Sequence, residues 1–158
     1  MPVLVYVEDI DGRFQKSAFE TVSYAREVAR QAGTSLTAVT VGNVPDSALE
    51  ELGQYGASRI LNIHSEKLRA HSSQTYASVL AQAARAEDAG LIILSSSFSG
   101  KGLAPRLAIR LGAALIPDVT GLPEISGQRL SVKRNAFSGK AFATVASEAD
   151  VKILTLSP

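Results

Sequence analysis

The feature that most constrains the fold is a set of short runs in which nearly every side chain is apolar or β-branched. Val3–Val7, Leu36–Val41 and Leu91–Leu94 are such runs, separated by stretches that contain polar residues and glycines. Strands that are apolar on both faces are typical of parallel sheets, because helices cover the two sides of such a sheet. The sequence therefore predicts parallel strands joined by crossover helices.

The segments between these runs have the spacing of amphipathic helices. Ser17 is expected to cap the first helix and Gly33 to end it. A short helix should begin at Asp46, and a longer one at Ser73 or Thr75. Apolar residues recur at helical intervals in the two longer segments, and we expect them to face the core: Val22, Ala25, Val28 and Ala29, then Val79, Leu80, Ala83 and Ala84.

The pattern changes after about residue 112. Short extended runs now alternate with the turn pairs Ser126-Gly127 and Ser138-Gly139, which are typical of hairpins. The predicted strands are Arg59–Ile63 before this point and Thr120–Ile125, Arg129–Asn135, Lys140–Val145 and Val151–Leu156 after it. We therefore predict one α/β domain over residues 1–158. Its mostly parallel, Rossmann-like βαβ core would span residues 1–112, and an antiparallel β extension would span residues 113–158.

Composition excludes several classes of function. A formal net charge of +1 and the absence of long basic runs argue against nucleic acid as a partner. The chain has no cysteine, and His64 and His71 lie outside any carboxylate cluster, so no metal site is predicted. The amino terminus enters a strand directly and no apolar run is long enough to insert into a membrane, which favours a cytoplasmic protein. The ending at Pro158, directly after a strand, suggests a domain of a longer chain.

The stretch "LSSSFSGKGLAPRL" follows the fourth predicted strand and is the main candidate site. Ligands of open α/β sheets bind beyond the carboxyl ends of the strands, where a helix N-terminus attracts phosphate. Ser99, Gly100, Lys101 and Gly102 would form a nucleotide-binding loop there, with Pro105 in the first turn of the next helix.

The specific phosphate-binding patterns are incomplete. Gly102 follows Lys101 where a P-loop has Ser or Thr, and Pro105 replaces the third glycine of the dinucleotide fingerprint. Universal stress proteins are more similar, since nine residues separate Gly102 from Gly112, but Ala113 then replaces their hydroxyl residue. Two interpretations remain: a tight strand-to-helix connection capped by Ser99 or a neighbour, which we favour, and an ATP- or AMP-binding loop.

No catalytic constellation is apparent in the sequence. Glu8 and Asp9 follow the first strand without a partner base or nucleophile, and we expect them to be solvated acids. The serines at positions 95–97 and 99 have no evident His and Asp partners. The chain is therefore not expected to be an enzyme on its own.

Motifs along the whole chain resemble the N-terminal domain of the electron transfer flavoprotein α subunit. The counterparts are Gly100-Lys101, Leu103-Ala104-Pro105-Arg106, Pro117-Asp118 and Arg134 with Gly139-Lys140-Ala141. The opening "VLVYVEDIDGRF" and the later "ELGQYGASRILNI" fit the same family. Each motif is weak alone, but their order and spacing are more specific.

The resemblance implies an adenine nucleotide α-hydrolase-like fold and a heterodimer with a β subunit. Such a complex carries electrons from primary dehydrogenases, among them the acyl-CoA dehydrogenases of fatty acid β-oxidation, to a membrane quinone oxidoreductase. In that family FAD is held chiefly by a second, C-terminal domain of the α subunit, which has no counterpart in these residues. The resemblance thus implies a scaffold and subunit-interface domain that binds no cofactor by itself.

Overall fold

The fold was analysed in a computed structural model that describes residues 1–64, 68 and 72–158. His71 lies outside the described residues, and His64 is exposed. The helices of the described ranges are α1 (Lys16–Gln31), α2 (Asp46–Gln54), α3 (Ser73–Ala86) and α4 (Phe98–Leu111). The strands are β1 (Val3–Tyr6), β2 (Asp9–Ile10), β3 (Arg13–Phe14), β4 (Leu36–Val41), β5 (Arg59–Ile63), β6 (Leu91–Ser95), β7 (Ala114–Ser126), β8 (Arg129–Ala136), β9 (Ala141–Ser147) and β10 (Lys152–Leu156).

Eight of these strands form one sheet in the order β5-β4-β1-β6-β10-β7-β8-β9. The first six of that order pair in parallel, and β8 and β9 continue the sheet in antiparallel fashion. This confirms the predicted α/β class with a mostly parallel sheet and an antiparallel addition. Strand order reverses between β1 and β6, which is where such folds place their ligand crevice.

Helices cover both faces of the sheet because neighbouring strand residues point in opposite directions. Val3 and Val5 pack with α1 on one side. Leu4 and Tyr6 pack with α3 and α4 on the other. Alternating side chains of β6 divide between the same two core layers, so the continuous apolar runs of the sequence are explained by burial on both faces.

The last strand differs from its predicted place. The stretch Val151–Leu156 was expected in the antiparallel extension, but β10 lies between β6 and β7 and pairs in parallel with both. Its first four residues are buried, as a central strand requires. The thirteen-residue β7 is also longer than predicted: its first part pairs with β10 and its second part with β8, with register shifts along both pairings.

Two local features were predicted incorrectly or missed. Gln15 precedes α1 as N-cap without a side-chain hydrogen bond, so Ser17 lies inside the first turn and is not the cap. Gly33 does follow the helix end with a positive φ of 69°. The small hairpin of β2 and β3 was missed, because two-residue strands leave no periodic signal; in its turn the Gly12 N–H donates to Asp9 Oδ2 at 3.0 Å.

Lys152 is a fully buried side chain at the start of β10. Its ammonium group donates to the Ala149 carbonyl oxygen at 2.6 Å. Burial lowers the pKa of this ammonium, while the nearby carboxylates of Asp150 and Glu148 oppose that shift. The charged form therefore costs the folded state free energy at neutral pH.

We expect Lys152→Met to change the pH dependence of stability. Between the lowered pKa of the folded state and the ordinary value of 10.5, the unfolded chain holds a proton that the folded chain has lost. The wild-type free energy of unfolding should consequently rise with pH in this window relative to the variant. Urea unfolding of both proteins from pH 7 to 10.5 measures this difference, and a difference that is constant or falls with pH would contradict the assignment.

Candidate functional site

A small crevice lies where the strand order reverses, beyond the carboxyl ends of β1 and β6. Tyr6, Glu8, Thr21, Ser95 and Ser97 are among the residues that line it. Its volume is about 100 Å³, whereas small-molecule sites usually exceed about 300 Å³. The crevice is thus in the position of a nucleotide site but is too small to enclose a nucleotide.

The chain places its own carboxylate at the start of α4, beside this crevice. The Ser97 hydroxyl accepts a hydrogen bond from the Gly100 N–H at 3.0 Å and donates one to Glu8 Oε2 at 2.7 Å. Ser97 is therefore the N-cap of α4, and Glu8 supplies the negative charge that favours a helix N-terminus. In nucleotide-binding proteins a phosphate occupies the equivalent position.

The expectation that Glu8 is a solvated acid was wrong. Glu8 is only partly exposed, and its carboxylate joins the end of β1 to the start of α4. Burial first, and the Glu8 carboxylate second, raise the pKa of the neighbouring Tyr6 hydroxyl. The phenol of Tyr6 thus stays neutral. The negative charge of the crevice is that of the Glu8 carboxylate, and it opposes binding of phosphate.

The predicted loop residues belong to a helix. Ser99, Gly100, Lys101 and Gly102 all lie in the first two turns of α4, which begins at Phe98. Ser99 is consequently not the cap; Ser97 is. Pro105 was expected in the first turn but lies in the interior of the helix, with its side chain exposed. Ala104 and Leu107 beside it are buried, so packing on the sheet outweighs the hydrogen bond that proline removes.

Gly100 is explained by close packing and requires no ligand. A Cβ at this position would overlap the carbonyl oxygen of Ser95 at the end of β6. Gly102 has no comparable constraint, because a Cβ there would meet only the Ser73 hydroxyl at 3.4 Å. The spacing of the two glycines thus reflects one helix-to-strand contact and not a phosphate cradle.

Lys101 points away from the crevice. Its ammonium lies 4.0 Å from Asp118 Oδ1, and both groups border a separate cleft on the other side of β6. The structure therefore brings Ser97, Gly100 and Glu8 together at the crevice and does not bring Lys101 to them. Among the described residues no cluster of three His, Asp or Glu side chains could hold a metal ion. No helix in the described ranges has the length and apolarity needed to span a bilayer.

Residues 3–158 match a family model described as the electron transfer flavoprotein domain. The chain belongs to the electron transfer flavoprotein family. It is 31% identical over 144 residues to the electron transfer flavoprotein subunit alpha of Clostridium acetobutylicum, covering 90% of this chain and 43% of that protein. The corresponding subunit of Bacillus subtilis is 29% identical over 156 residues, covering 99% and 47%.

A relative with a different name is subunit LctC of the lactate dehydrogenase (NAD(+),ferredoxin) of Acetobacterium woodii. It is 29% identical over 146 residues, covering 92% of this chain and 35% of that protein. The chain thus spans less than half the length of these relatives. The family resemblance stated from the motifs is confirmed.

The Glu8–Ser97 pair is the part of the site that sequence reasoning missed. A signal was present: Glu8 directly follows the predicted strand Val3–Val7, and Ser97 stands three residues before Gly100, the spacing between an N-cap and the amide that donates to it. Their contact joins residues 89 positions apart and depends on β1 and β6 being neighbours. The contact between Glu8 and Ser97 could therefore be predicted only with knowledge of the order of the strands in the sheet.

Replacing each glycine of α4 by alanine should separate packing from ligand binding. Gly100→Ala should lower the free energy of unfolding by about 2–4 kcal/mol, because backbone must move to admit the methyl group. Gly102→Ala should be neutral or stabilise by at most about 1 kcal/mol, since alanine is the better helix former. Chemical denaturation measures both, and equal effects at the two positions would refute this explanation.

The two serines provide a matched test of the cap. Ser97→Ala should lower the free energy of unfolding by about 1 kcal/mol or more, because it exposes an amide and leaves Glu8 without its donor. Ser99→Ala should cost nothing, because it lies within the helix. Thermal unfolding at pH 7 checks both variants. A larger loss for Ser99→Ala would show that the helix begins elsewhere.

Proposed function

We propose that this chain is the N-terminal domain of an electron transfer flavoprotein α subunit. In this proposal the domain acts as a scaffold and subunit-interface module of an electron carrier, and it is neither an enzyme nor the flavin site. The observation that carries the proposal is the family match over residues 3–158, together with relatives named as α subunits that are about twice as long. The remaining half of such a subunit would hold FAD.

The crevice between β1 and β6 supports a domain that holds no nucleotide at the usual nucleotide position of this fold. Its small volume leaves no room for adenosine, and Glu8 occupies the anion position at α4. These two features also argue against the alternative function, a freestanding ATP- or AMP-binding protein of the universal stress type. That alternative requires Lys101 beside the phosphates, yet its ammonium faces Asp118.

The proposed complex is a cytoplasmic heterodimer with a β subunit. It would take electrons from primary dehydrogenases, such as acyl-CoA dehydrogenases, and deliver them to a membrane quinone oxidoreductase. Two relatives have names that fit electron exchange with such an enzyme: the electron transfer subunit beta of acryloyl-CoA reductase from Anaerotignum propionicum, and LctC. Both names link a relative of this chain to a dehydrogenase or a reductase.

The antiparallel end of the sheet has the properties of a subunit interface. The edge strand β9 is seven residues long, pairs only with β8 among the described strands and contains no charged residue. Phe142 on this strand has 68% of its side chain exposed. Long uncharged edge strands attract other chains unless a partner covers them. We propose that the β subunit covers β9.

The polypeptide that contains this domain should purify as a yellow one-to-one complex when co-expressed with the β subunit from the same genome. The absorption spectrum should show bound flavin, and size-exclusion chromatography should give the mass of a heterodimer. A colourless protein that does not associate with the β subunit would refute the proposal.

The contribution of β9 can be measured in the same complex. Phe142→Glu places a charge on the uncharged edge and should weaken association with the β subunit by at least about tenfold. Phe98→Glu is the matched control, because Phe98 is also an exposed phenylalanine, 97% accessible, but lies at the start of α4. Equal weakening by both substitutions would exclude β9 as the interface while leaving the flavoprotein assignment in place.

A further inference from the structure

A second cleft, larger and different in charge, lies on the other side of β6. It is bordered by the first turn of α4, by Asp118 within β7, by the ends of β8 and β10, and by the turn between β8 and β9. Its volume is about 770 Å³, within the range of sites for small molecules. Ser96, Lys101, Asp118, Arg134 and Ser157 are among its lining residues. The cleft is separate from the crevice that Glu8 closes.

The charged side chains of this cleft have an excess of positive charge. Lys101 and Arg134 supply two cations, and Asp118 supplies one carboxylate. The Lys101–Asp118 pair is loose, with 4.0 Å between charged atoms and 62% of the lysine side chain exposed. The positive end of the α4 dipole adds to this potential, because Lys101 lies in the first turn of that helix.

Arg134 is held in a position from which it can donate to a ligand. Its Nε donates to the Pro117 carbonyl oxygen at 3.0 Å, which holds the guanidinium against the backbone of β7. No carboxylate in the described part of the chain lies within ion-pair distance of this group. The terminal guanidinium nitrogens can therefore donate to an oxyanion, for which arginine has a matching planar geometry.

Ser96 gives an independent indication of a missing partner. This residue is only 9% exposed and lines the cleft, and its Oγ is buried with no hydrogen-bond partner among the residues that the structure describes. Its backbone N–H donates to the Leu156 carbonyl oxygen at 2.8 Å, so of the two donors of Ser96 it is the hydroxyl that lacks a partner in the described part of the chain. An unsatisfied buried hydroxyl costs about 1–3 kcal/mol, and native proteins contain few of them.

We propose that this cleft binds the phosphate group of a small anionic ligand. Arg134 and Lys101 neutralise the phosphate, and rotation of the buried Ser96 side chain allows its hydroxyl to donate to one of the phosphate oxygens. Phe137, whose side chain is 81% exposed in the turn that borders the cleft, is placed to stack on an organic part of the ligand. The site does not depend on the β subunit or on flavin, so it can be tested apart from the proposed function.

To test this, the chain is titrated with inorganic pyrophosphate at constant ionic strength. Binding is monitored by calorimetry and by the NMR chemical shifts of the backbone amides. Saturable shifts are expected at Ser96, Lys101 and Ser138, with none at Ser17 beside the crevice. Arg134→Gln should weaken binding about tenfold, the equivalent of one charge-assisted hydrogen bond. Lys101→Gln should weaken it about threefold, since its charge is more screened by solvent.

Two further variants make the test specific. Asp118→Asn removes the only carboxylate side chain that the described part of the chain contributes to the cleft lining, and it should tighten binding; asparagine suits the positive φ of 54° at this position, so the backbone is preserved. Arg129→Gln is the control, because Arg129 is an exposed arginine at the opposite end of β8. Non-saturable shifts, equal weakening by Arg129→Gln, or weaker binding by Asp118→Asn would each overturn the proposal.

A parallel titration with ADP distinguishes the two sources of phosphate. If the natural ligand is a nucleotide, ADP should bind more tightly than pyrophosphate, and Phe137→Ala should abolish that advantage. Equal affinity for the two probes, unaffected by Phe137→Ala, would assign the site to an inorganic phosphate. Absence of binding by both probes would overturn it.

Discussion

The contact between Gly100 and the Ser95 carbonyl oxygen determines how α4 meets the sheet. Because no side chain stands between them, the first turn of the helix lies directly against the end of β6. That position directs Ser97 towards Glu8 on one side of β6 and Lys101 towards Asp118 on the other. The crevice and the cleft are thus two consequences of a single close approach, and they differ in charge because different side chains reach each of them.

The general architecture could be predicted from the sequence because it rests on short-range patterns. Leu36–Val41 and Arg59–Ile63 were predicted with the bounds that the structure has, since their apolar content and flanking residues are local signals. The placement of β10 could not be predicted in this way. A buried apolar strand has the same sequence pattern whether its neighbours are parallel or antiparallel, and only its partners distinguish the two.

The candidate site shows the same limit at the level of side chains. The Gly, Lys and Ser composition of the stretch after β6 predicted a loop, but Gly100 is required there by helix packing, and the helix begins at Phe98. Glu8 was treated as a surface acid because its partner is 89 positions away. A fold that offers an anion position does not have to fill it with a ligand, since a carboxylate of the chain satisfies the same electrostatics.

The central position of β10 also has a consequence for the order of folding. Residues 152–156 leave the ribosome after the other seven strands of this sheet, yet they stand between β6 and β7 in the finished sheet. Until they emerge, the inner edge of β6 and the start of β7 have no neighbour, and the two parts of the sheet cannot join. Such long-range pairing slows folding and leaves strand edges exposed in the meantime. While β10 is unpaired, its two neighbours in the sheet have free edges, so association with chaperones or other chains would compete with folding.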